Sequence, residues 1–468
     1  MKCLFLLVGL LIPALSQADT TKIFLLSDFY AQILLYHPVA KQAELLSKQA
    51  QQEIRLARGS FDPKLISKFY EKQFKGSHYF SVWDNALKVP TWFGVEIKAG
   101  FEKNTGEFVS SEKITPANGL SYIGVSVPIG QGLLIDERRA TLQQAKLLDR
   151  MADASKVSLI NKLLLQAAKD YWDWTFYFQQ WQLYDYGYDL ALIRFNGVKE
   201  RAEQGDLPAI DTVEAKIQVQ SRAVMVDQAK LEYQNASLIL SNYLWTVSNT
   251  PVEITGEIIP PDEISAEAHL PLDSLQLLMA MAIENHPELL KINLKQEQLE
   301  IERRFLADKF KPKINLEYNI LQQGFPIGEV AFDGAYLGNN YKLGFSFEYP
   351  IFLRQERGKF QLNKLKQINA DLDQQQFGRE IINEIQTHYN TMLVLQGQIK
   401  LQDEMLINAT ALRNGEQDLF DIGESSLFLI NTREMNLISN KVKLFELKTK
   451  YSKAKALLAW AAGTSYKF

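Results

Sequence analysis

The stretch Phe61-Asp-Pro-Lys64 recurs as Phe310-Lys-Pro-Lys313, 249 positions later in the chain. The pair His37-Pro38 recurs at the same distance, as His286-Pro287. Because both matches share one offset and one order, they indicate a chain built from two copies of one unit. This duplication governs the whole fold.

Further landmarks repeat in the same order, but at a shorter offset. Gly124-Val-Ser-Val127 corresponds to Gly344-Phe-Ser-Phe347, 220 positions later, and Gly205 corresponds to Gly423, 218 positions later. The first copy is therefore 29 residues longer in front of Gly124. The excess encodes either two more strands or an elaborate external loop, and the sequence leaves both open.

The first eighteen residues are typical of a secretory signal. Lys2 is followed by the apolar run Leu4–Leu15 and by the small-x-small pattern Ser16-Gln-Ala18. The alternative is a buried N-terminal helix. Cys3 is the only cysteine and lies within this segment, so the mature chain is expected to lack disulfides and thiolate metal sites.

Composition and motifs argue against several classes of function. The net charge of −4 lacks the basic excess of a nucleic-acid-binding protein. We find no Walker loop, no nucleophile elbow and no dinucleotide-binding glycine pattern. The five histidines have no metal-ligand spacing. The sequence therefore predicts neither an enzyme nor a cofactor or metal site.

Long segments carry apolar residues at every seventh position with Lys, Glu and Gln between them, which is the coiled-coil pattern. The run from Leu133 to Gln204 contains no proline and predicts a single helix on the order of 100 Å long. The alternative is that bends divide it into ordinary helices. The four heptad series are Ile160, Ala167, Trp174, Trp181, Tyr188 and Phe195; Ile217, Val224, Leu231, Leu238 and Trp245; Ile385, Met392, Ile399 and Leu406; and Ile430, Leu437, Leu444, Tyr451 and Leu458.

Shorter segments alternate apolar and polar residues, as half-buried strands do. The alternation is regular over Lys313–Ile320, Tyr341–Tyr349, Gly94–Phe101 and Tyr122–Val127, but poor over Leu65–Lys72. Strands of this length can span a membrane. A water-soluble sandwich explains the strands themselves equally well.

These patterns divide the chain into a signal (1–18), a first repeat (19–248), a linker (249–273) and a second repeat (274–468). In the first repeat we expect a helix, strands within about 64–128 and a long helical hairpin over 132–248. In the second we expect a helix, strands within about 313–350 and a hairpin over 353–462.

Three features together resemble the TolC family of outer-membrane efflux channels. They are Gly124-Val-Ser-Val-Pro128 entering a long helix, and two turns between helices, at Arg201–Ala215 and Phe420–Glu434. The resemblance covers nearly the whole mature chain. It implies a mainly α fold with a membrane β-barrel portion, in which strand pairs and helical hairpins are duplicated. Each chain then supplies four strands, and a homotrimer closes a 12-stranded β-barrel continuous with an α-barrel.

The resemblance implies an exit duct in the outer membrane of a Gram-negative cell, with a large periplasmic part. Its partners are outer-membrane lipid, a periplasmic adaptor and an inner-membrane transporter, in a tripartite efflux pump or a type I secretion system. Drugs, metal ions and secreted polypeptides all remain open as cargo.

The two turns are the expected adaptor-binding tip in this interpretation. The contact residues are Gly205, Asp206 and Leu207 in the first turn and Gly423, Glu424 and Ser425 in the second. Glycine suits the left-handed end of a helix, and Asp206 or Glu424 can cap the helix that follows. The alternative is that these residues serve only the turn geometry.

Members of the family it resembles often carry an acidic ring at the constriction, on the helix just after the tip glycine. Asp211 and Glu214 lie six and nine residues after Gly205 and share a helix face, so they are candidate gate residues together with Arg201. The equivalent positions after Gly423 are Leu429 and Thr432, which makes that part of the constriction more apolar. The alternative is that both carboxylates lie on a solvated helix face.

Two other functions compete with the channel. A periplasmic coiled-coil adaptor explains the heptads but not the strands. The second alternative is a secreted enzyme on a helical scaffold. Neither accounts for the 249-residue offset.

Overall fold

The computed structural model describes residues 22–254, 256–261, 271–325 and 338–464. The predicted signal, residues 1–18, lies outside this part of the chain. Within it the chain forms two compact units, and each contains parts of both sequence repeats. Unit 1 contains residues 22–41, 160–276 and 384–464, and unit 2 contains residues 42–159 and 277–383.

The order of elements follows the duplication. The helices are α1 (Leu26–Tyr36), α2 (Pro38–Gly59), α3 (Glu137–Glu203), α4 (Ala209–Ser241), α5 (Leu272–Asn285), α6 (Pro287–Asp308), α7 (Arg354–Asp421) and α8 (Leu427–Ala461). The strands are β1 (Lys22–Ile23), β2 (Lys64–Phe74), β3 (Ser77–Pro90), β4 (Glu96–Thr105), β5 (Leu120–Pro128), β6 (Ile258–Ile259), β7 (Lys313–Gln323) and β8 (Tyr341–Glu348).

The repeated His-Pro pairs begin helices α2 and α6. The Nδ1 atom of His37 accepts a hydrogen bond from the backbone N–H of Val39 at 3.1 Å, and that of His286 accepts from Glu288 at 3.2 Å. Burial lowers the pKa of both imidazoles, which favours the neutral form that can accept a bond. The proline fixes the first helical residue and removes one unpaired N–H. The repeated motif is therefore a helix start.

The prediction of a very long helix is confirmed. Helix α3 runs without a break for 67 residues, and its repeat mate α7 runs for 68. Both are followed by a short turn and a second long helix, α4 or α8. None of the helices that the structure describes is long and apolar enough to cross a membrane.

Unit 2 contains a six-stranded antiparallel sheet in the order β2-β3-β4-β5-β7-β8. The fold class is confirmed, but the expected four strands per chain is wrong, because the 29-residue excess forms strands rather than a loop. Because neighbouring strands are antiparallel, adding an even number of strands leaves the direction of the last strand, β5, unchanged where the chain continues into α3. In the described residues, β2 and β8 each pair along one side only.

The two faces of this sheet differ sharply. One face carries an apolar band that runs through all six strands and includes Leu65, Leu87, Ile97, Val125, Tyr318 and Phe345. Leu65 is 80% exposed and Phe345 67% exposed in the single chain. The other face carries lysines, carboxylates and glycines. This distribution fits a sheet with an apolar solvent on one side and water on the other.

Candidate functional site

The turn between α3 and α4 is closed by two backbone hydrogen bonds. Gly205 has a φ of +84°, a left-handed conformation that glycine adopts without steric cost. The N–H of Asp206 donates to the carbonyl of Arg201 at 2.9 Å, and that of Gly205 donates to Ala202 at 3.2 Å. This pair of bonds is the Schellman ending of a helix, so Gly205 is placed by turn chemistry.

The turn between α7 and α8 repeats the geometry. Gly423 has a φ of +82°, the N–H of Glu424 donates to Leu419 at 2.8 Å, and the N–H of Gly423 donates to Phe420 at 3.1 Å. The two glycines are thus structural repeat mates as well as sequence mates.

The expectation that Asp206 or Glu424 caps the next helix is wrong. Helix α4 is preceded by Pro208, which makes no side-chain cap, and helix α8 is capped by Ser426. The Ser426 hydroxyl accepts from the N–H of Leu429 at 3.3 Å. Asp206 and Glu424 are both exposed at the surface of their turns.

Leu207 anchors the first turn to the helices. It packs against a cluster of four buried residues from three helices, Val198, Ala215, Leu427 and Ile430, with Phe195 and Phe420 alongside. The cluster joins both hairpins at their turns, so the two turns form one surface in unit 1.

The second turn is fixed by a buried carboxylate. Glu416, near the end of α7, accepts from the Ser425 hydroxyl at 2.5 Å and lies 3.4 Å from the guanidinium of Arg433 on α8. Its side chain is only 11% exposed. Ser425 is therefore held inward, whereas Glu424 next to it is exposed.

The predicted gate residues lie on the helices that begin at the turns. Asp211 and Glu214 are half-buried on the first two turns of α4 and share a face. Leu429 and Thr432 lie at the matching place on α8, where the Thr432 hydroxyl donates to the carbonyl of Phe428. Arg201 contributes its carbonyl to the first turn. Their role in a gate stays a prediction.

A buried ion network, which the sequence analysis missed, ties the four long helices together farther from the turns. The carboxylate of Glu434 on α8 accepts hydrogen bonds from both terminal nitrogens of Arg194 on α3, each at 2.9 Å. It also accepts one from a terminal nitrogen of Arg222 on α4 at 2.6 Å. Arg194 also bonds Gln417 on α7 at 3.3 Å. Side-chain exposures are 4% for Glu434, 3% for Arg222 and 13% for Arg194.

The surroundings of Glu434 decide its charge. Burial alone raises the pKa of its carboxyl group, but the hydrogen bonds and charges of Arg194 and Arg222 outweigh burial and hold the pKa below its usual range. Gly187 completes the site, since its carbonyl accepts from Arg222 at 2.6 Å. A Cβ at Gly187 would lie 2.9 Å from Ile438, so the missing side chain permits close helix packing.

No group of three or more His, Cys, Asp or Glu side chains in the described ranges has an arrangement that holds a metal ion. The two turns of unit 1 instead present charged and apolar surface, whereas the ion network lies buried between the helices.

Comparisons with known proteins agree with this geometry. Residues 278–464 match the model of a family described as outer membrane efflux protein. Curated protein sequences yield no match to this chain.

Solved structures share the fold over nearly the whole chain. The CmeC outer membrane channel of Campylobacter jejuni has a TM-score of 0.64 at 15% identity, with 94% of this chain and 86% of that chain covered. The outer membrane protein VceC of Vibrio cholerae has a TM-score of 0.63 at 14% identity, covering 94% and 96%. The MtrE outer membrane channel of Neisseria gonorrhoeae has a TM-score of 0.64 at 13% identity, covering 94% and 89%. The predicted resemblance is confirmed.

Proposed function

We propose that this chain, which has the TolC-type fold, is an outer membrane efflux protein and forms one subunit of a passive exit duct in the outer membrane of a Gram-negative cell. The main observation behind the proposal is the duplicated unit of strands followed by a long helical hairpin. The family match and the fold shared with solved channels support the same conclusion. The alternative of a periplasmic adaptor is not favoured, because it leaves the six-stranded sheet unexplained. Family and fold are those of channels, and we propose that the chain catalyses no reaction.

The single chain leaves two surfaces unpaired, which supports a homotrimer. Strands β2 and β8 are open edges in the described sheet, and closing the sheet between copies removes them. Three copies of a six-stranded sheet give an eighteen-stranded barrel instead of the expected twelve strands. A closed ring of three is an allowed symmetry.

The heptad series show where copies are expected to meet. On α8 the five residues of the series are buried within the chain, Ile430 completely and Tyr451 to 3% exposure. On α4 the equivalent residues are at least half exposed, namely Ile217, Val224, Leu231 and Leu238. A sustained apolar stripe in the open indicates a partner helix. We propose that a second copy of this chain covers it.

The turn surface is proposed as the periplasmic tip, where an adaptor binds and an inner-membrane transporter delivers cargo. Apolar side chains are exposed around both turns, including Ile210 and Val213 on α4 and Ile422 and Phe428 at the second turn. They flank the proposed adaptor contacts, Gly205, Asp206, Leu207, Gly423, Glu424 and Ser425. Such a surface suits a partner that presents apolar helix ends.

The gate is proposed to depend on Asp211 and Glu214, repeated three times around the axis. Six half-buried carboxylates facing one aqueous passage attract cations and repel anions. The second repeat offers Leu429 and Thr432 in the matching places, so this part of the ring is not acidic.

The experiment is conductance of the purified protein in planar bilayers under a salt gradient. The double variant Asp211→Asn with Glu214→Gln should lower the preference for cations or increase the leak. The matched control is Asp227→Asn with Glu232→Gln, two carboxylates farther along the same helix. Unchanged selectivity and conductance in the double variant would remove both residues from the gate. A protein that forms no pore in any bilayer would overturn the proposed function itself.

A further inference from the structure

One cross-strand row of the sheet in unit 2 is unusually rich in lysine. Reading the ladder pairs across all six strands gives Lys64, Lys88, Lys98, Gly124, Asn319 and Lys342 in register. On the same face, the row on one side, from Ile66 across to Leu321, contains no charged residue, and the row on the other side contains no lysine but includes Glu96 and Glu317. The four lysines therefore form a distinct feature, and the sequence scatters them over nearly 280 positions.

The lysine row lies on the face opposite the apolar band. Successive residues of a strand point to opposite faces, and in three strands each lysine is flanked by residues of the band, such as Leu87 and Val89 beside Lys88. In the middle strands the band residues Leu87 and Ile97 are each 41% exposed, whereas the side chain of Lys98 is only 14% exposed; Lys64 and Lys342, on the two edge strands, are exposed in the single chain. Side chains converge on the concave face of a curled sheet, so the lysines line the inside.

The row is only partly neutralised. Lys98 lies 2.6 Å from Glu317 and 3.8 Å from Glu96, both in the neighbouring row. Among the described residues Lys64, Lys88 and Lys342 make no ion pair. Two carboxylates thus face four lysines, and three ammonium groups per chain remain available to solutes.

Gly124, in the middle of the row, places no side chain on this face of the sheet. A Cβ at Gly124 would lie 2.2 Å from the side-chain oxygen of Asn319 and 2.3 Å from the carbonyl of Tyr318. Without that side chain, Lys98 reaches across β5 to Glu317 on β7. The strand register places all four lysines in the row, but only the side chain of Lys98 is held by an ion pair.

We propose that this row attracts and guides multivalent anions, such as polyphosphorylated or polycarboxylated solutes, through the outer-membrane part of the duct. The inference rests on the proposed function, because it needs the sheet closed into a barrel. At a strand spacing of about 4.8 Å and a tilt of about 40°, the row spans roughly 24 Å and climbs roughly 15 Å along the axis. Each copy then contributes an inclined row of lysines, and the electrostatic potential of this row extends about 8–10 Å in physiological salt.

The test uses sodium tripolyphosphate as the probe and the full-length trimer as the protein. The dissociation constant of tripolyphosphate from the trimer is measured by calorimetry in detergent. The block of the ionic current by tripolyphosphate is measured after it is added to the bilayer on the side of the β-barrel. The triple variant Lys64→Gln, Lys88→Gln and Lys342→Gln should raise both the dissociation constant and the half-blocking concentration about tenfold or more. Lys98 is left intact to preserve its bond to Glu317.

The matched control is Lys103→Gln, since Lys103 lies on β4 in register with Trp83, on the outer face. It should change both values less than about twofold. Equal binding and equal block in the wild type and the triple variant, with the trimer and its potassium chloride conductance retained, would overturn the inference. Loss of pore formation in the wild type would instead overturn the proposed function.

Discussion

Replacing Glu434 with glutamine is the sharpest perturbation of the helical hairpins. The change keeps the shape of the side chain but removes the carboxylate that the guanidinium groups of Arg194 and Arg222 share. Removing one partner of a buried ion pair typically costs about 3–5 kcal/mol, because the remaining charge is left uncompensated. Here two like charges remain, so the upper part of that range is expected.

The magnitude can be converted into a shift in melting temperature. At about 2.1 cal/mol/K per residue, a chain of 468 residues has an unfolding entropy of roughly 1 kcal/mol/K, so a cost of about 4–5 kcal/mol lowers the melting temperature by roughly 4–5 °C. The assay is thermal unfolding of the detergent-solubilised protein, followed by circular dichroism. Hydrogen exchange should show faster opening of the helices around Arg194 and Arg222.

Glu446→Gln on the same helix is the control. Glu446 pairs with Lys443 and Lys450 at the surface, and surface pairs contribute about 0–1 kcal/mol. The melting temperature of this variant should stay within about 1 °C of the wild type. If both variants lost the same stability, the argument that the buried network holds the four helices together would be refuted.

Four further outcomes are expected. Gly423→Ala should cost about 1–2 kcal/mol, because alanine is strained at a φ of +82°, and chemical unfolding of the purified protein measures this. Ser426→Ala should cost about 1 kcal/mol by removing the cap of α8, and faster amide exchange in the first turn of that helix would report it. Val224→Asp, placed on the exposed stripe of α4, should convert the trimer into monomers in multi-angle light scattering, whereas a stable trimer would show that the stripe is not an interface. The depressed pKa of Glu434 contributes stability that is present above the ordinary carboxyl pKa of about 4.3 and is lost as the pH falls through the lower pKa of the folded state. At pH values below about 4, the melting temperature of the wild type should therefore decrease more steeply with falling pH than that of Glu434→Gln.

The repeated landmarks predicted the order of elements well because their causes are local. A His-Pro helix start and a glycine at a left-handed helix end depend on neighbouring residues, so Gly205 and Gly423 mark their turns directly in the sequence. The long helices follow from heptads uninterrupted by proline.

The number of strands in the first repeat was not predictable in the same way. Alternation is poor in β2, where Ile66 and Tyr70 lie on the inner face and Ser67 on the outer face. Pairing in register with β3 compensates, and the indole of Trp83 donates to the Ser67 hydroxyl at 3.1 Å. A segment with a mixed pattern can still form a strand, because a neighbouring strand supplies hydrogen-bonding partners for its backbone. The sequence pattern of the segment alone does not contain this information.

The buried network was missed for a related reason. Arg194, Arg222 and Glu434 occupy helical positions where sequence alone predicts a solvated charge. Their contacts join residues 212 and 240 positions apart. The lysine row has the same character, since only the strand register brings its members together. Local chemistry is readable from sequence, whereas charge pairing across elements requires the fold.

The central claim is that this chain is one third of a closed channel, and imaging the purified protein in lipid nanodiscs by electron cryomicroscopy tests it most directly. The account predicts three copies around one axis, with β8 of each copy paired to β2 of the next and eighteen strands enclosing an open lumen within the lipid disc. A monomer, or a ring in which the sheet lies outside the lipid with both edges unpaired, would contradict it.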